Sequence, residues 1–116
     1  MEKEYKIWFE KAEKEFIIKK LKEFLNRLNK DIKIEKIFLF GSRTSDSFRK
    51  DSDIDLVIVS SDFEDMNFIE RGARMYNYWN LDYPVDFLCY TPEEFNKLKN
   101  RITIVREAVE GGIEIN

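Results

Sequence analysis

Two short apolar runs joined by a polar connection constrain the fold of this chain more than any other feature of its sequence. Residues 37–40 (Ile-Phe-Leu-Phe) and 54–59 (Ile-Asp-Leu-Val-Ile-Val) are rich in β-branched and aromatic side chains, which predicts buried strands. The connection, residues 41–53, leaves no room for the ordinary crossover helix that joins consecutive parallel strands. The pattern therefore predicts an α+β fold (a two-layer α/β arrangement) with a mixed sheet covered by helices, rather than a doubly wound parallel sheet.

The N-terminal segment is expected to form one of these helices. Over about residues 3–29, apolar side chains recur at steps of mostly three and four, which predicts an amphipathic helix. Its apolar face is expected to consist of Tyr5, Trp8, Phe9, Ala12, Phe16, Leu21, Phe24, Leu25 and Leu28. The three aromatic residues at its start could instead form an exposed patch that docks a partner.

The second half of the chain carries clear signals for where its elements begin and end. The expected elements are a helix over about residues 66–81, a strand at 85–90, helices over about 92–110 and a last strand at 113–115. Thr91 is suited to cap a helix, and Glu94 is placed to complete a capping box. The final helix is expected to run through Ile102, Val105, Ala108 and Val109 and to stop at the pair Gly111-Gly112.

Length, charge and cysteine content limit the class of protein. A chain of 116 residues is long enough for one hydrophobic core, which predicts a single domain over residues 1–116 with its central part at about 35–90. A net charge of −3 does not favour nucleic acid as a partner. No apolar run is long enough to span a membrane, the charged N-terminus is unlike a secretory signal, and a cytoplasmic protein is expected. The single cysteine, Cys89, lies in an apolar run and is interpreted as core packing.

The residues best suited to chemistry lie at the two ends of the polar connection. Side chains two apart on a strand face the same side, so the carboxylates of Asp53 and Asp55 are expected to converge on one site. Two carboxylates so close repel each other unless a cation lies between them, and hard oxygen ligands suit Mg²⁺. At the other end, Gly41 lets backbone N–H groups approach a phosphate, and Ser42 adds a hydroxyl donor.

This arrangement resembles a known family. The spacing Gly41-Ser42, ten residues, then Asp53-Ile54-Asp55 is similar to the signature of the minimal nucleotidyltransferases of the DNA polymerase β superfamily. The resemblance implies the nucleotidyltransferase fold and a site for Mg²⁺, with two ions expected, and a nucleoside triphosphate. It also implies a third carboxylate on a later strand, which Asp86 matches, and a phosphate contact for Arg43. Asp86 is the only charge in its apolar strand, which favours contact with a metal or an acceptor hydroxyl, with partial exposure at a sheet edge as the alternative. The residues Thr44-Ser45-Asp46 depart from the Ala-Arg-Gly that follows in many relatives, so contacts made by this loop could differ.

The resemblance further implies an activity and a partner. The expected reaction transfers a nucleoside monophosphate from a triphosphate, with ATP the expected one, to a hydroxyl group. The acceptor is expected to be a tyrosine of a small helical (HEPN-like) partner protein in a toxin–antitoxin pair. The alternative is a non-catalytic module that binds a nucleotide and regulates its partner by contact alone.

The charged residues also allow other interpretations. Asp51, Asp53 and Asp55 also fall at the first positions of a calcium-binding EF-hand loop, but Leu56 stands where that loop requires glycine. The aspartates could instead decorate an exposed strand face, although two like charges would then share it without a basic neighbour. Arg49 and Lys50 could contact a phosphate or solvent equally well. Arg71 and Arg74 lie three apart on one helix face, which could point toward a phosphate, although solvent is the expected direction.

Overall fold

A mixed four-stranded sheet forms the centre of the molecule. The structure, a computed structural model, describes residues 2–40 and 54–115, with side chains from residue 12 onward. The strands are β1 (Lys36–Phe40), β2 (Ile54–Val59), β3 (Val85–Tyr90) and β4 (Ile113–Glu114), in the spatial order β3-β2-β1-β4. β1 is antiparallel to both β2 and β4, whereas β2 is parallel to β3. The mixed sheet predicted from the short connection is therefore confirmed.

The helices of the described residues are α1 (Glu2–Leu28), α2 (Phe68–Tyr76), α3 (Pro92–Leu98) and α4 (Ile104–Gly111), and a 3₁₀ helix spans Ser61–Asp65. The predicted capping box is present at the start of α3, where the Thr91 N–H donates to Glu94 Oε1 (2.8 Å) and the Glu94 N–H donates to Thr91 Oγ1 (3.2 Å). No helix in the described part of the chain combines the length and the apolar character needed to cross a membrane.

The helices are divided between the two faces of the sheet. Successive strand residues point to opposite sides, and β2 supplies Leu56 and Ile58 to one apolar cluster and Val57 and Val59 to another. The first cluster is completed mainly by α1 and by Met75 of α2. The second is completed by Phe95 of α3 and by Val105 and Ala108 of α4. The α+β class is thus confirmed, with helices packed on both faces rather than in one layer.

The buried face of α1 differs by one residue position from the prediction. Ile17 is completely buried, whereas Phe16 is 49% exposed. Ile17 lies four residues before Leu21 and seven before Phe24, so these side chains fall on one face of the helix. Phe16 lies five residues before Leu21, which turns its side chain roughly 140° away. Periodicity located the helix correctly, but it assigned the wrong apolar residue to the core.

The boundaries of α2 and α4 also differ from expectation. α2 ends at Tyr76, well before residue 81, and it begins after Asn67, whose side chain accepts a hydrogen bond from the Glu70 N–H at 2.9 Å. α4 begins after Thr103, whose side chain caps it. Ile102 was predicted to belong to this helix but lies before its first residue and is 96% exposed.

Candidate functional site

Asp55 and Asp86 lie beside each other at one end of the sheet. Each is the second residue of its strand, and the two are direct partners in the parallel register of β2 with β3. Adjacent strands lie about 4.8 Å apart, and register partners point to the same face. Phe40, the last residue of β1, pairs with Asp55 from the other side. The end of β1 and the starts of β2 and β3 therefore meet at these two carboxylates.

The two carboxylates lie next to apolar side chains on the same face of the sheet, and at least one of them is exposed. The carboxylates share their face with Val57 and Leu88, the next residues of the same parity, and with the buried ring of Phe40. Asp55 is partly buried, and Asp86 is exposed. Like charges on paired strand residues repel, and a cation bound by both carboxylates would offset this repulsion. The two carboxylates could therefore bind a hard cation together with a ligand that reaches this exposed end of the sheet.

The alignment of the two aspartates depends on how β3 starts. The Ile54 N–H donates to the Pro84 carbonyl at 2.8 Å, which fixes the register one residue before both carboxylates. β2 lies in the middle of the sheet between β1 and β3, so Asp55 is on a strand paired on both sides. β3 is an outer strand, so its backbone pairs with a neighbouring strand on one side only.

The remaining predicted site residues lie outside the described part of the chain. These are Gly41, Ser42, Arg43 and Asp53, together with the departing residues Thr44-Ser45-Asp46. In the sequence, Gly41 directly follows Phe40, and Asp53 directly precedes Ile54. Among the described residues, no group of three or more His, Cys, Asp or Glu side chains could hold a metal ion. The donors that the structure brings together are thus the two carboxylates of Asp55 and Asp86.

The sequence predicted that Arg71 points to solvent, but in the structure its side chain is buried. It is 7% exposed, and its Nε donates to the carbonyls of Phe63 and Met66, each at 3.0 Å. Its Nη1 donates to the Cys89 carbonyl at 3.2 Å and to Glu94 Oε1 at 2.7 Å. This guanidinium is therefore committed to holding the fold together and is not available to a phosphate. Arg74, by contrast, is exposed.

The contacts with Thr91 and Arg71 also change the pKa of the Glu94 carboxyl. Partial burial acts to raise the pKa of its carboxyl, but the hydrogen bonds from Thr91 and Arg71 and the charge of Arg71 outweigh that effect. The pKa of Glu94 is therefore lowered, and the carboxylate stays ionised in the folded protein. Its role is structural, because it lies at the far end of β3 from Asp86.

A separate cavity of about 360 Å³ lies between α1 and the segment that leads into β3. Its lining consists of Phe16, Lys20, Asn80, Leu81, Asp82 and Tyr83. α1 packs on the face of the sheet opposite to Asp55 and Asp86. The cavity therefore does not include the two carboxylates.

Comparison with known families gives one match that covers most of the chain. The model of a family described as "Nucleotidyltransferase domain" matches residues 18–110. This span includes both carboxylates, the connection of residues 41–53, and all four helices in whole or in part. No curated protein gave a significant sequence match.

Two solved structures share the fold. A protein from Sulfolobus solfataricus, provisionally identified as a nucleotidyltransferase, superposes with a TM-score of 0.66 at 18% identity and covers 90% of this chain and 84% of its own. A toxin–antitoxin structure with AMP-PNP superposes with a TM-score of 0.52 at 22% identity, over 82% of this chain and 72% of that one. At these identities the likeness establishes the fold.

Proposed function

This chain belongs to the nucleotidyltransferase domain family, and we propose that it transfers a nucleoside monophosphate from ATP to a hydroxyl acceptor in a Mg²⁺-dependent reaction. The observation that carries this proposal is the register pairing of Asp55 with Asp86 at an accessible end of the sheet. A triphosphate substrate needs a cation held by a small number of carboxylates, and this pair supplies such ligands on one face.

The donor set fits magnesium in its chemistry. Mg²⁺ takes hard oxygen ligands and is usually held by one or two carboxylates, with phosphate oxygens and water completing its shell. In this proposal Asp53, Asp55 and Asp86 are the protein ligands. Bound there, the metal would supply positive charge that offsets the charge of the phosphates in the transition state.

The chain's own residues then have distinct tasks. Gly41, Ser42 and Arg43 would hold the outer phosphates, so that the α-phosphorus is presented to the acceptor. The acceptor oxygen forms a bond to this phosphorus while the bond to the bridging oxygen of the β-phosphate breaks, and pyrophosphate leaves. Asp86, the more exposed of the two described aspartates, either helps to hold a metal near the acceptor hydroxyl, whose proton then passes to solvent, or accepts that proton itself.

The proposed acceptor is a tyrosine hydroxyl on a small helical partner protein, in a toxin–antitoxin pair. Support comes from the fold shared with the toxin–antitoxin structure that contains AMP-PNP, an ATP analogue. The shape of the site is also consistent with a protein acceptor, because Asp86 is exposed at the sheet end rather than enclosed in a cavity.

Thermal unfolding with nucleotides tests the site first. ATP, GTP, CTP and UTP would each be added with and without Mg²⁺ to the wild type and to Asp55→Asn, Asp86→Asn and the exposed control Asp65→Asn. Ligand at a hundred times its dissociation constant should stabilise the protein by about 2.7 kcal/mol. We expect Mg²⁺-dependent stabilisation, greatest with ATP, in the wild type and the control only. Equal stabilisation of all four proteins would contradict the proposed ligands.

Transfer to a protein tests the second half of the proposal. ATP labelled at its α-phosphate would be incubated with this chain and with a candidate small helical partner protein. We expect label on a tyrosine of that protein with the wild type, and none with Asp55→Asn. If Asp55→Asn binds and neutralises the partner fully while no label is transferred by either form, a contact-based regulatory module is the correct description.

A further inference from the structure

Three consecutive carbonyls at the start of β3 are each held by a different donor. Trp79 Nε1 donates to the Tyr83 carbonyl at 3.1 Å, and the Ile54 N–H donates to the Pro84 carbonyl at 2.8 Å. The Tyr76 hydroxyl donates to the Val85 carbonyl at 2.6 Å. The next residue is Asp86. The backbone leading to this carboxylate is therefore fixed at three successive points.

The bond from Tyr76 substitutes for a missing strand. β3 is the outer strand on its side of the sheet, and outward-facing carbonyls of such a strand have no ladder partner. α2 runs along this side and covers two of them, with the Tyr76 hydroxyl on Val85 and the Arg71 guanidinium on Cys89. Arg71 acts at the far end of β3, whereas Tyr76 acts beside Asp86.

The geometry of the peptide unit carries the effect of Tyr76 to the carboxylate. The Val85 carbonyl and the Asp86 N–H belong to one planar peptide group, so fixing the carbonyl fixes the plane from which Asp86 departs. Asp55 needs no such support, because its strand is paired on both sides. The separation of the two carboxylates therefore depends on how firmly the start of β3 is held.

The hydroxyl of Tyr76 is itself well placed. Its ring packs edge-on against Phe87, with 4.8 Å between centroids and an interplanar angle of 82°. Phe87 is anchored in turn by Phe24 and Trp79. The ring contact survives replacement of tyrosine by phenylalanine, so the hydroxyl can be removed without loss of the packing.

We infer that Tyr76 is a positioning residue for the metal ligand Asp86, acting through the Val85 carbonyl to set the distance between the Asp86 and Asp55 carboxylates. This inference rests on the proposed function, since it assumes that the two carboxylates bind a cation together. Nothing in the sequence pattern around Tyr76 indicates this role, because Tyr76 ends α2, whereas the two aspartates lie on strands β2 and β3.

Binding of Mn²⁺ alone, followed by water-proton relaxation, tests the inference without an acceptor or turnover. Tyr76→Phe should weaken Mn²⁺ binding about three- to tenfold, below the range for a direct partner of a ligand, because the effect passes through the backbone. The matched control is Tyr78→Phe, which removes a hydroxyl that donates to Asp31 Oδ2 at 2.7 Å, away from β3. This control should change the affinity less than about twofold.

A double-mutant cycle separates positioning from general damage. Adding Tyr76→Phe to Asp86→Asn should cause no further loss of Mn²⁺ affinity, since the ligand that Tyr76 positions is already gone. Amide hydrogen exchange at Asp86 gives a metal-free measurement and should be faster in Tyr76→Phe than in Tyr78→Phe. Both results together support the inference.

The possible failures are distinguishable. If wild-type protein does not bind Mn²⁺, or binds it equally after Asp86→Asn, the proposed metal site is wrong and the inference falls with it. If the wild type binds through Asp86 but Tyr76→Phe behaves like Tyr78→Phe, only the role of Tyr76 is overturned. An equal loss from Tyr76→Phe in the Asp86→Asn background would likewise overturn it, by showing a general structural effect.

Discussion

Arg71 and Glu94 form an ion pair across 23 residues of sequence, with Arg71 Nη1 at 2.7 Å from Glu94 Oε1. The arginine side chain is 8% exposed, and the glutamate side chain is 45% exposed. Because the same guanidinium also holds the Cys89 carbonyl, the pair joins α2 to the junction of β3 with α3. The Arg71 guanidinium therefore links the 3₁₀ helix, β3 and α3 by direct hydrogen bonds.

Replacing this arginine should destabilise the protein strongly. Arg71→Met keeps much of the apolar stem but leaves the carbonyls of Met66 and Cys89 without the donor that Arg71 supplies. We expect a loss of about 2–4 kcal/mol in the free energy of unfolding, measured by urea denaturation. Arg74→Met, at an exposed position of the same helix, should change it by less than about 0.5 kcal/mol. Equal effects of both variants would refute the role of Arg71.

The Glu94 partner gives a pH dependence of known sign. The folded-state pKa of Glu94 is lowered from an ordinary value of 4.5. Its contribution to stability is therefore fully present above that pH and is lost as the pH falls through the lowered folded value. Unfolding midpoints measured from pH 6 downward should fall less steeply in Glu94→Gln than in the wild type. Glu93→Gln, which removes an exposed charge in the same helical turn, should leave the wild-type slope unchanged.

The parts of the fold set by local chemistry followed from the sequence. The capping box of Thr91 and Glu94 depends on residues three apart, and the mixed sheet depends on the length of one connection. Which apolar residue of α1 is buried could not be predicted from local sequence in the same way. Phe16 and Ile17 are both apolar neighbours, and only the position of the sheet beneath the helix decides between them.

The candidate site was accessible to sequence reasoning only in part. Spacing alone indicated that Asp55 lies at the mouth of a strand, but its pairing with Asp86 depends on the register between two strands distant in sequence. Family resemblance, rather than periodicity, pointed to Asp86. The role of Arg71 was missed because its partners lie on the 3₁₀ turn, on β3 and on α3, and no local pattern links them.

Cys89 should be inert in the folded protein. The thiol is buried, and this burial raises its pKa to about 12 despite the nearby positive charge of Arg71. Because the thiolate is the reactive form, a disulfide reagent such as DTNB should label Cys89 at pH 8 only at the rate at which the protein opens. Labelling should be immediate in denaturant. Rapid labelling of native protein would show that β3 is more accessible than its packing indicates.

The adjacent glycines at the end of α4 should respond oppositely to alanine. A Cβ at Gly112 would clash with the Ala108 carbonyl and lie 2.7 Å from the carbonyl of Leu39 in β1, whereas one at Gly111 meets nothing within 4 Å. Gly112→Ala should therefore cost about 1–3 kcal/mol of stability. Gly111→Ala, the matched control, should be neutral or stabilise the helix by up to about 1 kcal/mol. Chemical denaturation would measure both, and similar values would contradict the close approach of α4 to β1.

Removing one carboxylate of the candidate site should stabilise the protein while destroying the site. Asp86 stands directly beside Asp55, and like charges on paired strand residues repel, so Asp86→Asn should raise the free energy of unfolding in EDTA by about 0.2–1 kcal/mol. The same variant should lose any additional stability that Mg²⁺ and ATP confer on the wild type. The exposed control Asp65→Asn should show neither change. If Asp86→Asn instead destabilises the metal-free protein, the carboxylate has a stabilising partner of its own. The pair would then not be a site kept under electrostatic strain for a cation.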